Sequence, residues 1–134
     1  MSLRAAVFLF IAGSTIVMVD APALSDETAP WREYSQQPNG DIHFFDSSRV
    51  ETAADLRKVW NRIRYKTSVM GAASYQSLLE IDCAQRTERI LQNTFFSDKH
   101  WKTPSMGTDK TAKPKRQIAK GSATERLSGI LCEQ

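Results

Sequence analysis

Two cysteines, Cys83 and Cys132, limit what this chain can fold into more than any other feature. The first closes the alternating stretch Leu78-Leu79-Glu80-Ile81-Asp82-Cys83, which runs on through Ala84, Gln85 and Arg86, and the second lies close to the C-terminus. They are separated by 49 positions, so a bond between them would close a long loop. In the chain-entropy model such a closure contributes roughly 4 kcal/mol. That is a large share of the ~5–15 kcal/mol that holds a small domain together. Whether the bond forms depends on the compartment, and the N-terminus speaks to that.

Arg4 gives the opening residues a positive charge, and Ala5 to Val19 then runs without any charge. This apolar run is shorter than the ~20 residues a membrane-spanning helix needs. Ala21-Pro22-Ala23 follows as a small-residue A-x-A site, so the order is that of a secretory signal peptide over residues 1–23. Cleavage is expected after Ala23, because a cut after Ala21 would leave Pro22 just past it. An uncleaved N-terminal anchor is the alternative. Residues 24–30 are polar and proline-bounded and are expected to form a disordered leader. The rest, 31–134, is enough for one domain and too short for two. In an exported domain an even cysteine count points to a disulfide, Cys83–Cys132.

A nucleophilic Cys83 beside Asp82 would need a histidine base. The only histidines are His43 and His100, and neither stands in a protease-like signature. They also lack the cysteine or acid spacing of a zinc site. Phosphate-cradling glycine loops are absent. The chain is therefore expected not to be an enzyme and to need no cofactor or metal.

Along the mature chain, Trp31 to Ser35 is a first strand and Gln36 to Asp41 a turn, in which Asn39-Gly40 accepts positive φ cheaply. Ile42 to Asp46 is the returning arm of the hairpin, and Ser47 to Thr52 a loop. Leu56, Val59, Trp60 and Ile63 follow helical spacing, and periodicity alone favours a helix there. The strand alternative puts Val59, Ile63 and Tyr65 on one face, interrupted by Asn61, and Trp60, Arg62 and Arg64 on the other. Thr67 to Ser74 is a loop. Tyr75, Ser77, Leu79, Ile81 and Cys83 alternate with Gln76, Leu78, Glu80 and Asp82 as a strand with Cys83 on its more apolar face. Gln85 to Phe96 continues the apolar run, Ser97 to Lys115 is a long polar loop, and Arg116 to Ala119 is a short strand. Ser122 and Glu125 have capping-box spacing, and Leu127, Ile130 and Leu131 make one stripe of the helix that follows. Cys132 lies beside that stripe, so a bond to Cys83 would hold the helix against one face of a sheet.

Several pieces in this order resemble the surface-adhesin protein E family of bacterial exported proteins. They are Trp31, Phe44-Phe45-Asp46, Val59-Trp60 with Tyr65, Ile81-Asp82-Cys83-Ala84 with Arg86 and Arg89, Phe95-Phe96-Ser97-Asp98, Ile118 before Gly121-Ser122, and Leu131-Cys132. The resemblance implies an α+β fold: a single antiparallel sheet of about six strands, with a C-terminal helix packed on one face and tied by the disulfide. It makes the segment around Trp60 a strand, against the helical periodicity, and we follow it there. The named adhesin of that family is lipid-anchored and binds host matrix and serum proteins. This chain departs from it, because Ala23-Leu24-Ser25-Asp26 offers no cysteine for lipid attachment. The expectation is a periplasmic, secreted or cell-surface protein without a lipid anchor.

The net charge of +3 is unevenly placed: between Lys99 and Lys120 seven basic residues face only Asp109. Within this segment Lys110, Lys113, Lys115, Arg116 and Lys120 are candidate contacts for an anionic partner. The competing view is a solvated loop. Trp31 and Trp60 are expected in the core, whereas Trp101, between His100 and Lys102, is the candidate exposed contact residue. Expected partners are extracellular or envelope proteins or anionic glycans, with no nucleic acid and no membrane span after cleavage. A small periplasmic enzyme or inhibitor is the alternative function.

Overall fold

The computed structural model of the chain describes residues 30–133, so the expected signal peptide, nearly all of the expected leader and Gln134 lie outside the described residues. Seven strands form one sheet: β1 Trp31–Gln36, β2 Ile42–Asp46, β3 Glu51–Ala53, β4 Leu56–Val69, β5 Ala72–Asp82, β6 Thr87–Phe96 and β7 Arg116–Gln117. A single helix, α1 Ala123–Cys132, follows. The order is β1-β2-β4-β5-β6-β7, with β3 pairing on β4, and every pairing is antiparallel.

The segment with helical periodicity is the long central strand β4. Val59 pairs with Leu79 and is fully buried, while Trp60 pairs with Leu78 and points to the other face. The helical spacing arises because both faces of this strand carry large side chains. Asn61, the polar interruption, is buried and satisfied: it accepts from the Tyr34 hydroxyl and donates to Ser77 Oγ at 3.4 Å. Burial, with the charge of Glu88 adding, holds the Tyr34 phenol well above its ordinary value, so it stays a neutral donor.

Tyr34, Phe45, Val59, Leu79 and Ile81 from the sheet meet Leu127 and Leu131 of α1 in one core. Each such side chain contributes about 1.5–3 kcal/mol on burial. Ser122 Oγ accepts from the Glu125 amide at 3.1 Å, as the capping spacing predicts. The Glu125 carboxylate reaches back to Gly121 N–H at 3.2 Å rather than to the amide of Ser122 itself. At the other end Arg57 of β4 donates to the Leu131 carbonyl at 3.2 Å. The Cys83–Cys132 disulfide, with Cα atoms 5.6 Å apart, then fastens the last turn of α1 to the end of β5. The Asp82 carboxylate accepts from the amides of Ala84 and Gln85 and shapes the β5–β6 turn.

One turn requires its glycine. Gly40 has φ +93°, and a Cβ there would collide with the Lys66 side chain.

Candidate binding face of the sheet

The helix covers one face of the sheet and leaves the other to a different set of side chains. Alternation along β4 puts Lys58, Trp60, Arg62 and Arg64 on that open face. Trp31 of β1 and Phe44 of β2 join them, because Phe44 pairs with Arg62. Trp31 and Trp60 are thus half-buried residues of the open face and not members of the core, which corrects their expected place. A strand feeds both faces alternately, so an aromatic residue's presence in a strand does not say which face it serves.

The Arg62 guanidinium lies 4.1 Å from the Trp31 ring centroid and 4.8 Å from that of Trp101. Arg64 lies 5.2 Å from Trp101 and 5.4 Å from Phe44. The Phe44 and Trp101 rings meet edge to face at 5.8 Å, and Arg49 stands 5.9 Å from the Trp60 ring. Each cation–π contact is worth about 0.5–2 kcal/mol. They fix the plane of each guanidinium. Arg62 Nε also donates to Gln76 Oε1 at 2.8 Å, and Arg64 Nε to the Lys99 carbonyl at 3.3 Å.

Trp101 reaches this array because Asp98 folds its loop. The Asp98 carboxylate accepts from the amides of Thr103 at 2.8 Å, His100 at 3.0 Å and Lys102 at 3.1 Å. The Thr103 amide is the main cause holding the Asp98 carboxyl below its usual range, with His100 and Lys102 adding to it against some desolvation. Ser74 donates to the Asp98 carbonyl, and Trp101 itself takes a left-handed φ of 56°. The indole is half-buried, less open than the sequence suggests.

The basic run lies elsewhere, along the outer edge of β6. Asp109 and Asn93 exchange backbone hydrogen bonds at 2.9 Å, and the Lys113 amide donates to the Ile90 carbonyl at 2.8 Å. Lys110, Lys113, Lys115, Arg116 and Lys120 are all exposed. Lys113 pairs with Asp109 at 2.8 Å, and Arg116 binds the buried Glu88 carboxylate at 2.6 Å. Two of the five charges are therefore engaged inside the domain. The array adds Arg62, Arg64, Arg49, Trp31 and Phe44 to the contact residues expected from the sequence, and the Trp60-x-Arg62-x-Arg64 alternation is the sequence signal for it.

Buried carboxylates are matched by arginines: Glu80 by Arg89 at 2.8 Å, and Asp46 by Arg49, with Ser48 also donating. Burial pushes the Asp46 carboxyl up, but these hydrogen bonds outweigh it and hold it below the usual range. Among the described residues, no group of histidine, cysteine and acidic side chains is placed to hold a metal.

The model of the surface-adhesin protein E family matches residues 31–133, the whole of the described domain but its first residue. The chain belongs to the surface-adhesin protein E family. Structures of Haemophilus influenzae protein E share the fold. One crystal structure superposes with a TM-score of 0.60 at 9% identity, covering 78% of this chain and 85% of that one. Its selenomethionine form gives a TM-score of 0.61 at 8% identity, covering 79% and 88%. Comparison with curated proteins gives no match. The family assignment and the fold agree with the antiparallel sheet, the C-terminal helix and the disulfide that ties them.

Proposed function

We propose that this chain is an exported, non-catalytic binding domain that uses the open face of its sheet to hold an acidic macromolecule outside the cytoplasm. The carrying observation is the Trp31–Arg62–Trp101–Arg64–Phe44 array, a row of held guanidinium groups on a face that no helix covers among the described residues. Guanidinium is weakly hydrated and its N–H fork fits carboxylate or sulfate in pairs. Arg62 and Arg64 are two residues apart on one strand, about 7 Å, so together they suit a ligand with repeated charges. Acidic glycans of the cell envelope or extracellular matrix have that chemistry. The Asp46, Glu80 and Glu88 carboxylates are each bound by an arginine, which suits a structural role better than acid–base work.

Membership in an adhesin family supports export and surface contact. Within this reading the signal peptide is removed after Ala23, and the protein is periplasmic or released to the cell surface without a lipid anchor. No helix among the described residues is long and apolar enough to cross a membrane. Lys110, Lys115 and Lys120 add a second, more weakly organised contact along the β6 edge, with Lys113 and Arg116 partly occupied by their acids.

Retention on immobilised heparin, followed as salt is raised, tests the reading. Wild type should bind and elute at raised salt, and the double variant Arg62→Gln with Arg64→Gln should elute markedly earlier. Equal elution of the two would remove the open face as the binding site. Loss only in a Lys110→Ser, Lys115→Ser, Lys120→Ser variant would move it to the β6 edge.

A further inference from the structure

Beside the arginine–aromatic array the open face holds a cavity of different chemistry. It has a volume of about 390 Å³ and is lined by Arg49, Val50, Glu51, Lys58, Trp60 and Leu78. That is the small end of the roughly 300–1,000 Å³ of ligand sites, room for a compact ring. Trp60 and Leu78 are register partners and give the cavity an apolar floor. The half-buried indole takes no part in the core.

The rim decides the ligand. Glu51 and Lys58 face each other across the β3–β4 pairing, yet among the described residues they form no ion pair. Their charges offset, while the carboxylate remains an acceptor and the ammonium a donor. The other acid opposite Lys58, Glu80, is bound by Arg89. Arg49 gives Nε to the Asp46 carboxylate, which offsets its charge and leaves its other N–H groups as donors. A carboxylate or sulfate entering the cavity would meet Glu51, and a purely aromatic ligand would leave the rim groups desolvated without partners. A neutral pyranose ring meets both demands. Its C–H face carries partial positive charge suited to the negative face of an indole, and its hydroxyl edge both donates and accepts. Trp60 stands two residues before Arg62 on β4, about 7 Å along the strand. We infer that the Trp60 cavity seats a neutral sugar unit of the glycan whose acidic units meet Arg62 and Arg64. This subsite rests on the open-face reading and narrows it to a glycan in which acidic and neutral sugars alternate.

Isothermal titration calorimetry of the processed protein with a hexasaccharide of unsulfated chondroitin, in which glucuronate alternates with N-acetylgalactosamine, tests it. Wild type should bind. Trp60→Ala should weaken binding about tenfold, the worth of one ring face against an indole, and Trp60→Phe should keep most of it. Glu51→Ala, at an exposed position of β3, should weaken binding severalfold with the thermal midpoint nearly unchanged. Hexasaccharide binding by Trp60→Ala equal to wild type would overturn the subsite. So would a wild type that is retained on heparin and does not bind the hexasaccharide. Either result leaves the arginine–aromatic array standing as the binding face. Hexasaccharide binding unchanged in Arg62→Gln with Arg64→Gln would instead remove the open-face reading, and the subsite as its continuation would fall with it.

Discussion

The indole nitrogen of Trp101 donates to the backbone carbonyl of Tyr75 at 3.0 Å, which fastens the 97–103 loop to a central strand 26 residues away. This bond, rather than exposure, accounts for where Trp101 sits. Trp101→Phe keeps a ring over the arginines but removes the donor. It should lower stability by about 1 kcal/mol, read as a shift in the urea midpoint. It should also weaken heparin retention less than Trp101→Ala does.

Acid should release the same loop. The Asp98 carboxyl is held below its ordinary value of 3.8, chiefly by the Thr103 amide. A carboxyl depressed in the folded state contributes stability that is fully present above the unfolded value and is lost as pH falls through the folded one. Tryptophan fluorescence should therefore be flat from neutral pH to about 4 and change below it. Asp46 and Asp109 are also depressed, so the decisive comparison is Asp98→Asn, which should shift the emission at neutral pH and flatten the acid change.

Reducing the Cys83–Cys132 bond, or replacing both cysteines by serine, should cost about 2–4 kcal/mol. Differential scanning calorimetry with and without reductant would read it. Native protein carrying two alkylatable thiols would contradict the bond.

Within the core, Tyr34→Phe removes the donor to Asn61 Oδ1 and leaves that buried amide oxygen short of a partner. A loss of about 1–3 kcal/mol is expected. Combining it with Asn61→Leu should recover part of the loss, since the unsatisfied group then goes.

Charge removal at Lys113 and at Arg116 should differ. The Lys113–Asp109 pair is exposed on both sides, so Lys113→Ser should change stability by no more than about 0–1 kcal/mol. Arg116 neutralises Glu88, whose side chain is only 5% exposed, although the arginine itself is 70% exposed. Arg116→Ser should therefore cost more, about 1–2 kcal/mol, below the value for a fully buried pair because solvent reaches the arginine. Chemical denaturation of the two single variants would compare them.

The local rules in the sequence placed the first hairpin, the capped C-terminal helix, the strand leading to Cys83 and the disulfide. Those features depend on short-range chemistry: turn residues, a cap, alternation and the compartment. The sequence left Leu56–Tyr65 open, because Val59, Trp60 and Ile63 satisfy a helical period whenever both faces of a strand carry bulky residues. Only pairing with β2 on one side and β5 on the other made it a strand. Tertiary structure alone also made Asn61 a buried hub, since its partners Tyr34 and Ser77 come from other strands. The open-face array has the same origin. Trp31, Phe44, Arg62 and Trp101 are distant in sequence, and the sheet register together with the Asp98 loop sets them side by side. Charge runs are visible in a sequence because their members are neighbours; this array is not, because its charges and rings become neighbours only across strands.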